Sequence, residues 1–355
     1  MADGAARRPT LKDIAGVTGL SMSTVSRALN GSPRIGRRTR ERIEREAARL
    51  GYQADLAGSL LRAARPRNIG LICRLDQELH FTYHNKILAE ADERELRVIV
   101  QSIGESLSAR RAVRALNQLR CCAAIVVDPG SIDGVAGADI GMHLVIIGQE
   151  APVAGADLVT SDNRRGMREI AEHLAALGHR RVIYLDGPEG RSAAERRSAF
   201  REAAGGASLE YEIVAAGARA DDGYGAASRL LDPGGSAHDG SVSAMICYND
   251  QCAQGAMVAI LRSGRTPGRD ISLTGCDNSR IASSRAFNMT SIDRGPAEVA
   301  RIAVELASRR LDDASRRLDD ASRRLDDASG AEPERRSVAT RMVVRGSTGA
   351  VGGGR

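Results

Sequence analysis

The stretch TLKDIAGVTGLSMSTVSRALNGS, residues 10–32, packs two short helical patterns around one glycine. Thr10 can cap the first helix, with Asp13 reaching back in capping-box fashion. Leu11, Ile14, Ala15 and Thr18 then share one face, and Gly19 breaks the pattern. Ser21 can cap a second helix whose inner face includes Val25 and Leu29. Met22, Ser23, Ser26 and Arg27 would point outward. Asn30-Gly31 and Pro33 read as a turn. A third helix, roughly Arg37 to Leu50, carries Ile43, Ala47 and Leu50 inward and ends at Gly51. Two helices joined at a glycine, with a third behind them, fit a helix-turn-helix. They also fit a plain three-helix bundle with a solvated arginine face. Small polar residues at a helix N-terminus can approach phosphates, and Arg27 is long enough to reach a guanine edge.

Charge bears on what the head would meet. Of the 355 residues, the first 67 hold 14 Lys and Arg against 6 Asp and Glu, a net +8 within a chain of +6. The remainder is therefore slightly acidic. A basic head on an acidic body points to a polyanion as the head's partner. The first residues, MADGAARRPTLKD, contain no apolar core of a secretory signal, and no run of about 18 apolar residues suggests a membrane span. The six cysteines lie in apolar segments and are expected to be buried, reduced thiols.

From Asn68 short apolar runs alternate with helical stretches: NIGLIC, RVIVQSI, AAIVVD, HLVIIG, RVIYLDG, YEIVAAG, AMICYND and ISLTGCDN. Such alternation indicates parallel sheets built from βαβ units. The strands are too many for one compact sheet, so two doubly wound lobes are expected.

The run TLKDIAGVTGLSMSTVSRALNGSPRIGRRTRERIEREAARLGYQ closely resembles the DNA-binding head of the LacI/GalR family of bacterial regulators. The likeness continues through EHLAALGHRRVIYLDGP, AMICYNDQCAQGAM, LTGCDN, MTSID and MVVRGSTG. It implies an α/β chain: an all-α helix-turn-helix head, joined by a hinge to a two-lobed, doubly wound, periplasmic-binding-protein-like body. The implied division is a flexible tail over 1–8, the head over 9–53, a hinge over 54–66, an effector-binding and dimerisation body over 67–345, and a flexible tail over 346–355.

By position, the resemblance makes Met22 and Ser23 lead base readout, with Arg27 the third base-contacting residue. Ser21, Thr24, Ser26 and Asn30 would hold the helix on phosphates or close the turn, and Thr10 joins this DNA-binding set. Met22 cannot donate a hydrogen bond, so it reads by apolar contact, as with a thymine methyl. In the hinge, Leu61, with Leu60 beside it, would be the wedge inserted into the minor groove. This chain departs from the family there, with Ala54 in place of a common proline and Gly58 in place of a common alanine. A glycine inside a helix costs about 1 kcal/mol relative to alanine, so the hinge helix would need DNA and a second subunit to form.

In the body the resemblance places Arg196, Asn249 and Asp277 in the cleft between lobes, with Gln149 and Asp162 as weaker candidates at strand ends. A guanidinium, an amide and a carboxylate suit a polyol. Each could equally serve as an ordinary loop polar residue. The loop RLDQELHFTYHNK departs from the family's Asn-Pro-Phe-Phe pattern, and Phe81 or Tyr83 would supply a ring against the ligand. The resemblance implies a cytoplasmic, nucleoid-associated homodimer. It would act as a repressor on a palindromic double-stranded operator, with a sugar or related polar metabolite as effector and no cofactor.

Other classes fit less well. A transport solute-binding protein would share the body but not the basic head. A carbohydrate-active enzyme would need catalytic motifs, and no phosphate loop, HExxH or GxSxG occurs. His80 and His84 have metal-like spacing without a nearby third ligand, so no metal is expected. One feature stands apart: ASRRLDD is written three times over residues 307–327. Leu311, Leu318 and Leu325 share one heptad position, with alanines three later. The repeat is expected to prolong a helix from about Pro296, two of its copies being a duplication carried as a solvated protrusion rather than an assembly element.

Overall fold

The structure is a computed structural model that describes residues 9–29, 32, 34–52, 67–104, 108–132, 135, 140–238, 240–320 and 332–352, with backbone alone over 314–320. Asn30, the hinge with Leu60 and Leu61, the third heptad and the tail over 1–8 lie outside the described residues. The chain divides into two compact units, Met1–Pro66 and Arg67–Arg355.

In the first unit, α1 (Leu11–Thr18), α2 (Met22–Leu29) and α3 (Arg37–Leu50) follow from local signals. The Thr10 amide donates to Asp13 Oδ2 at 2.7 Å, completing the capping box. Gly19 takes the left-handed conformation, φ +66°, and its amide donates to the Ala15 carbonyl, so α1 stops and α2 can turn across it. Ile14, Val25, Ala28, Ile43 and Ala47 close the core.

The second unit opens with β1 (Asn68–Cys73), α4 (Glu78–Glu93), β2 (Arg97–Ser102), α5 (Ala109–Gln118), β3 (Ala123–Val127), β4 (His143–Ile147) and β5 (Asp157–Ser161). The chain then crosses to a second lobe: α6 (Asn163–Ala176), β6 (Arg181–Asp186), α7 (Arg191–Gly206), β7 (Glu210–Ala215), α8 (Ala220–Leu231), β8 (Ala244–Cys247), α9 (Asp250–Arg262), β9 (Ser272–Cys276), α10 (Arg280–Ser283) and β10 (Thr290–Asp293). It returns through α11 (Pro296–Asp320) and β11 (Arg335–Val338), and crosses once more to β12 (Arg341–Val343). The sheets have the orders β11-β5-β4-β3-β1-β2 and β12-β10-β9-β8-β6-β7, parallel except where β12 meets β10. Both are doubly wound, and such sheets bind ligands beyond the carboxyl ends of their strands, where the winding reverses. The central strands are buried on both faces, which is why they read as unbroken apolar runs.

Although α11 follows the second lobe in sequence, its Val299, Ala303, Val304, Ala307 and Leu311 belong to the first lobe's core. The first heptad copy is anchored. Arg310 grips the buried Asp157 with two donors, Nη2 to Oδ1 at 2.6 Å and Nε to Oδ2 at 2.9 Å. His143 Nε2 and the Glu334 amide complete the shell at 2.9 and 2.7 Å. Burial alone would raise the Asp157 pKa, but these donors outweigh it and hold the carboxyl below its ordinary range. Arg310 also donates to the Glu332 carbonyl at 2.8 Å, so the first heptad copy and the segment leading into β11 meet at one place.

The expected tail from residue 346 is instead part of the fold up to Val351. Ser347 is buried, donates to the Leu273 carbonyl at 2.6 Å and accepts from the Thr290 amide, and the Val351 amide donates to Leu177. These carbonyls and amides, two in strands and one at the end of α6, need partners, and the terminal segment supplies them. No helix among the described residues is long and apolar enough to cross a membrane.

Candidate functional site

On the head, α2 presents one side to solvent. Met22 is 54% exposed, and Ser21, Ser23 and Arg27 are also exposed, while Val25 and Ala28 face inward. Thr24 and Ser26 are half-buried at the margin. Ser21 Oγ accepts from the Thr24 amide at 3.1 Å, the N-terminal cap expected of it. The same oxygen lies 2.9 Å from Ser23 Oγ and 2.8 Å from Thr24 Oγ1. The Ser23 hydroxyl is thus tied back to the cap, which leaves Met22 and Arg27 as the long side chains standing clear of the helix.

In the body, carboxyl-end loops of both sheets converge on a cavity of about 60 Å³. From the first lobe come His80, Tyr83, Asp128 and Ser161; from the second, Ser192, Arg196 and Tyr248; Arg294 comes from the crossover after β10. Ligand sites ordinarily start at roughly 300 Å³, so this is a closed cleft. Contacts between the lobes hold it narrow. Asn249 Nδ2 donates to Gln77 Oε1 at 3.3 Å, the Glu78 amide to Gln251 Oε1 at 3.1 Å, and the Arg280 amide to Glu78 Oε1 at 3.0 Å. Arg191 also pairs with Glu150.

Arg196 is 2% exposed; its Nη1 donates to the Tyr248 carbonyl and its guanidinium lies 4.3 Å from the Tyr248 ring centre. Gly187 makes this stack possible, because a Cβ there would collide with that ring. Asp277 sits just behind, with Arg294 Nη1 3.7 Å from its Oδ1. Burial pushes the Asp277 carboxyl up to about 7, against the pull of Arg294. Burial keeps His80 neutral, lowering its pKa despite the nearby Asp128. Arg196 Nε, Arg294 Nε, Asp277 Oδ1 and His80 Nδ1 are buried without a hydrogen-bond partner. Buried polar atoms of that kind are rare and call for an explanation such as a missing ligand.

The expected residues fare differently. Arg196 and Tyr83 line the cavity, and Asp277 adjoins it through Arg294. Asn249 is engaged elsewhere: its Oδ1 caps α9 at the Cys252 amide and its Nδ2 bridges to Gln77 and Ala218. Asp162 caps α6 by accepting from the Arg165 amide, and Gln149 donates to the Ser161 carbonyl. Phe81 is 43% exposed and stacks on His84 outside the cavity, because its position on α4 faces away from the lobe that Tyr83 enters. Arg294 was missed, yet a strand-like TSID followed by Arg-Gly-Pro places a long cation at a strand end, the position this sheet type uses. The sequence marks His80 only by its metal-like spacing from His84. Among the described residues no three His, Cys, Asp or Glu side chains group to hold a metal ion, and the six cysteines are free thiols, all buried but Cys122.

Residues 10–55 match the model of bacterial regulatory proteins of the lacI family, and residues 171–348 match the periplasmic binding protein-like domain. The transcriptional regulator CelR of Thermobifida fusca is 27% identical over 322 residues, covering 84% of this chain and 92% of that protein. The crystal structure of the lac repressor dimer bound to operator and the anti-inducer ONPF superposes with a TM-score of 0.78 at 24% identity, over 97% of this chain and all of that one. The CelR–cellobiose complex gives 0.65 at 24% identity, over 96% of this chain and all of that one. A helix-turn-helix unit followed by a two-lobed, doubly wound body is the architecture of a DNA-binding sensor. The chain belongs to the LacI/GalR family of bacterial transcriptional regulators, which bind DNA and are not enzymes.

Proposed function

We propose that the chain is a homodimeric repressor whose hold on a palindromic operator is set by a small polar ligand, of the sugar class, in the cleft between its lobes. The observation that carries this reading is a set of buried, partnerless polar atoms at one narrow cavity between the lobes: Arg196 Nε, Arg294 Nε and His80 Nδ1 on its wall, with Asp277 Oδ1 behind Arg294. The CelR–cellobiose complex and the operator-bound lac repressor dimer support ligand class and assembly by analogy.

In this reading the head spans 9–53, the hinge 54–66, and the body runs from 67 to the packed terminal segment. Met22 and Arg27 lead readout, Ser23 contributing once its bond to Ser21 opens. Thr10, Ser21, Thr24, Ser26 and Asn30 position the helix, and Leu61 is the wedge. Ligand must part the lobes to enter, breaking contacts such as Asn249–Gln77, and it shifts the population between lobe arrangements that space the paired hinges differently. The protein then works in the cytoplasm, on the nucleoid.

Selection of random duplexes by the purified protein tests the reading. We expect enrichment of a palindrome, bound with steep salt dependence because the excess positive charge lies in the head. Recovery of no palindrome sinks it.

A further inference from the structure

The hydrogen-bonding groups of the cleft are unbalanced toward donors. Arg196, from α7, and Arg294, from the crossover after β10, line the same cavity. A guanidinium carries five N–H donors and no acceptor. Arg196 has one acceptor in the Tyr248 carbonyl and a ring beneath its plane, but its Nε is partnerless. Arg294 Nε is partnerless too, and its Nη1 stands 3.7 Å from Asp277, too far for a hydrogen bond. Burial and the Arg196 charge both disfavour the charged Arg294, although its other neighbours raise its pKa overall.

The carboxylates offset this only in part, although Glu78, whose Oε2 is buried without a hydrogen-bond partner, adds a further acceptor near Asp277. Asp277 holds its proton to about pH 7, so near neutrality it supplies only part of a negative charge. Asp128 stands on the first-lobe wall beside neutral His80. A neutral polyol would satisfy some N–H groups, but each hydroxyl brings a donor of its own into a donor-rich site. An oxyanion brings acceptors alone, and its two oxygens match a guanidinium fork. Buried charges left without such a partner are costly, which makes the match discriminating.

Resting on the reading of the cleft as the ligand site, we infer that its ligand carries an oxyanion, a carboxylate or a phosphate on a polyol frame, held between Arg196 and Arg294. The ligand class is thus an acidic sugar derivative rather than a neutral sugar. Arg294 is the specificity-determining residue: Arg196 is shared with hydroxyl recognition, whereas the second guanidinium adds the charge.

The test is isothermal titration of the full chain with four matched probes: glucose, gluconate, glucuronate and glucose 6-phosphate, with inorganic phosphate alone as the fifth. At least one acid is expected to bind tenfold or more tightly than glucose. The carboxylate and phosphate arms tell which oxyanion is used. Arg294→Gln should erase the preference of acid over glucose, and Arg294→Lys should keep part of it, a change in selectivity that misfolding alone would not produce. Glucose binding as tightly as every acid overturns the oxyanion class and leaves the cleft standing as a ligand site. Failure of all five probes to bind overturns both.

Discussion

Deleting residues 314–327 removes two of the three ASRRLDD copies and should leave the protein folded, with its oligomeric state unchanged. The structure sets the magnitude. Asp157 receives Arg310 on one side of the excursion and the Glu334 amide on the other, and Arg310 itself reaches the Glu332 carbonyl. Among the described side chains of α11 the last buried one is Leu311, within the first copy. Eighteen residues separate Asp313 from Glu332, and the deletion leaves four. Treated as a flexible loop closed at those two points, the shorter excursion saves about 1.3 kcal/mol of closure entropy. Against that stands the loss of two heptads of helix-forming sequence, marginal as a helix on its own in water, whose Arg and Asp at helical spacing would contribute a few tenths of a kcal/mol per pair. The net expectation lies between no change and a gain of about 1 kcal/mol, a rise in melting midpoint of up to roughly 4 °C. Thermal unfolding followed by circular dichroism, with sedimentation velocity on the same samples, reads both quantities. A drop of several degrees, or dissociation of the native oligomer, would refute the reasoning and make the repeat an assembly element.

Two further outcomes follow from the head and the cleft. Leu61→Ala should weaken operator binding far more than binding to random DNA, since a wedge gains only where a kinkable step is present; equal losses in a gel shift would remove the wedge, and a larger loss for Leu60→Ala would move it by one position. Asp277→Asn should raise the melting midpoint at pH 8 and change it little at pH 5. The folded carboxyl keeps its proton up to about pH 7, above the ordinary carboxylate range. The wild type therefore loses stability as pH rises from about 4 to about 7, and an amide does not; an equal shift at both pH values would contradict the burial argument.

The head could be read directly from residues 10–51, because each decisive signal acts within a few positions. Thr10 and Asp13 meet across one turn, Gly19 and Gly51 stop helices by a backbone conformation other residues resist, and Ile14, Val25, Ile43 and Ala47 recur with helical period. The strands were legible for a similar reason: burial on both faces leaves a continuous apolar run such as NIGLIC or AMIC. Pattern alone did not reach the composition of the cleft. His80, Asp128, Tyr248 and Arg294 follow four different strands, and only sheet order and the crossings between lobes bring them to one cavity. The same holds for residues whose chemistry suggested a ligand but whose neighbours engage them otherwise, as Asp162 and Asn249 do in capping α6 and α9. Buried Asp157 is gripped by Arg310, 153 positions away, and neither stands out in the sequence. A side chain's local period tells which face it takes, but its partners depend on where the chain returns, and that is decided by packing across the whole fold.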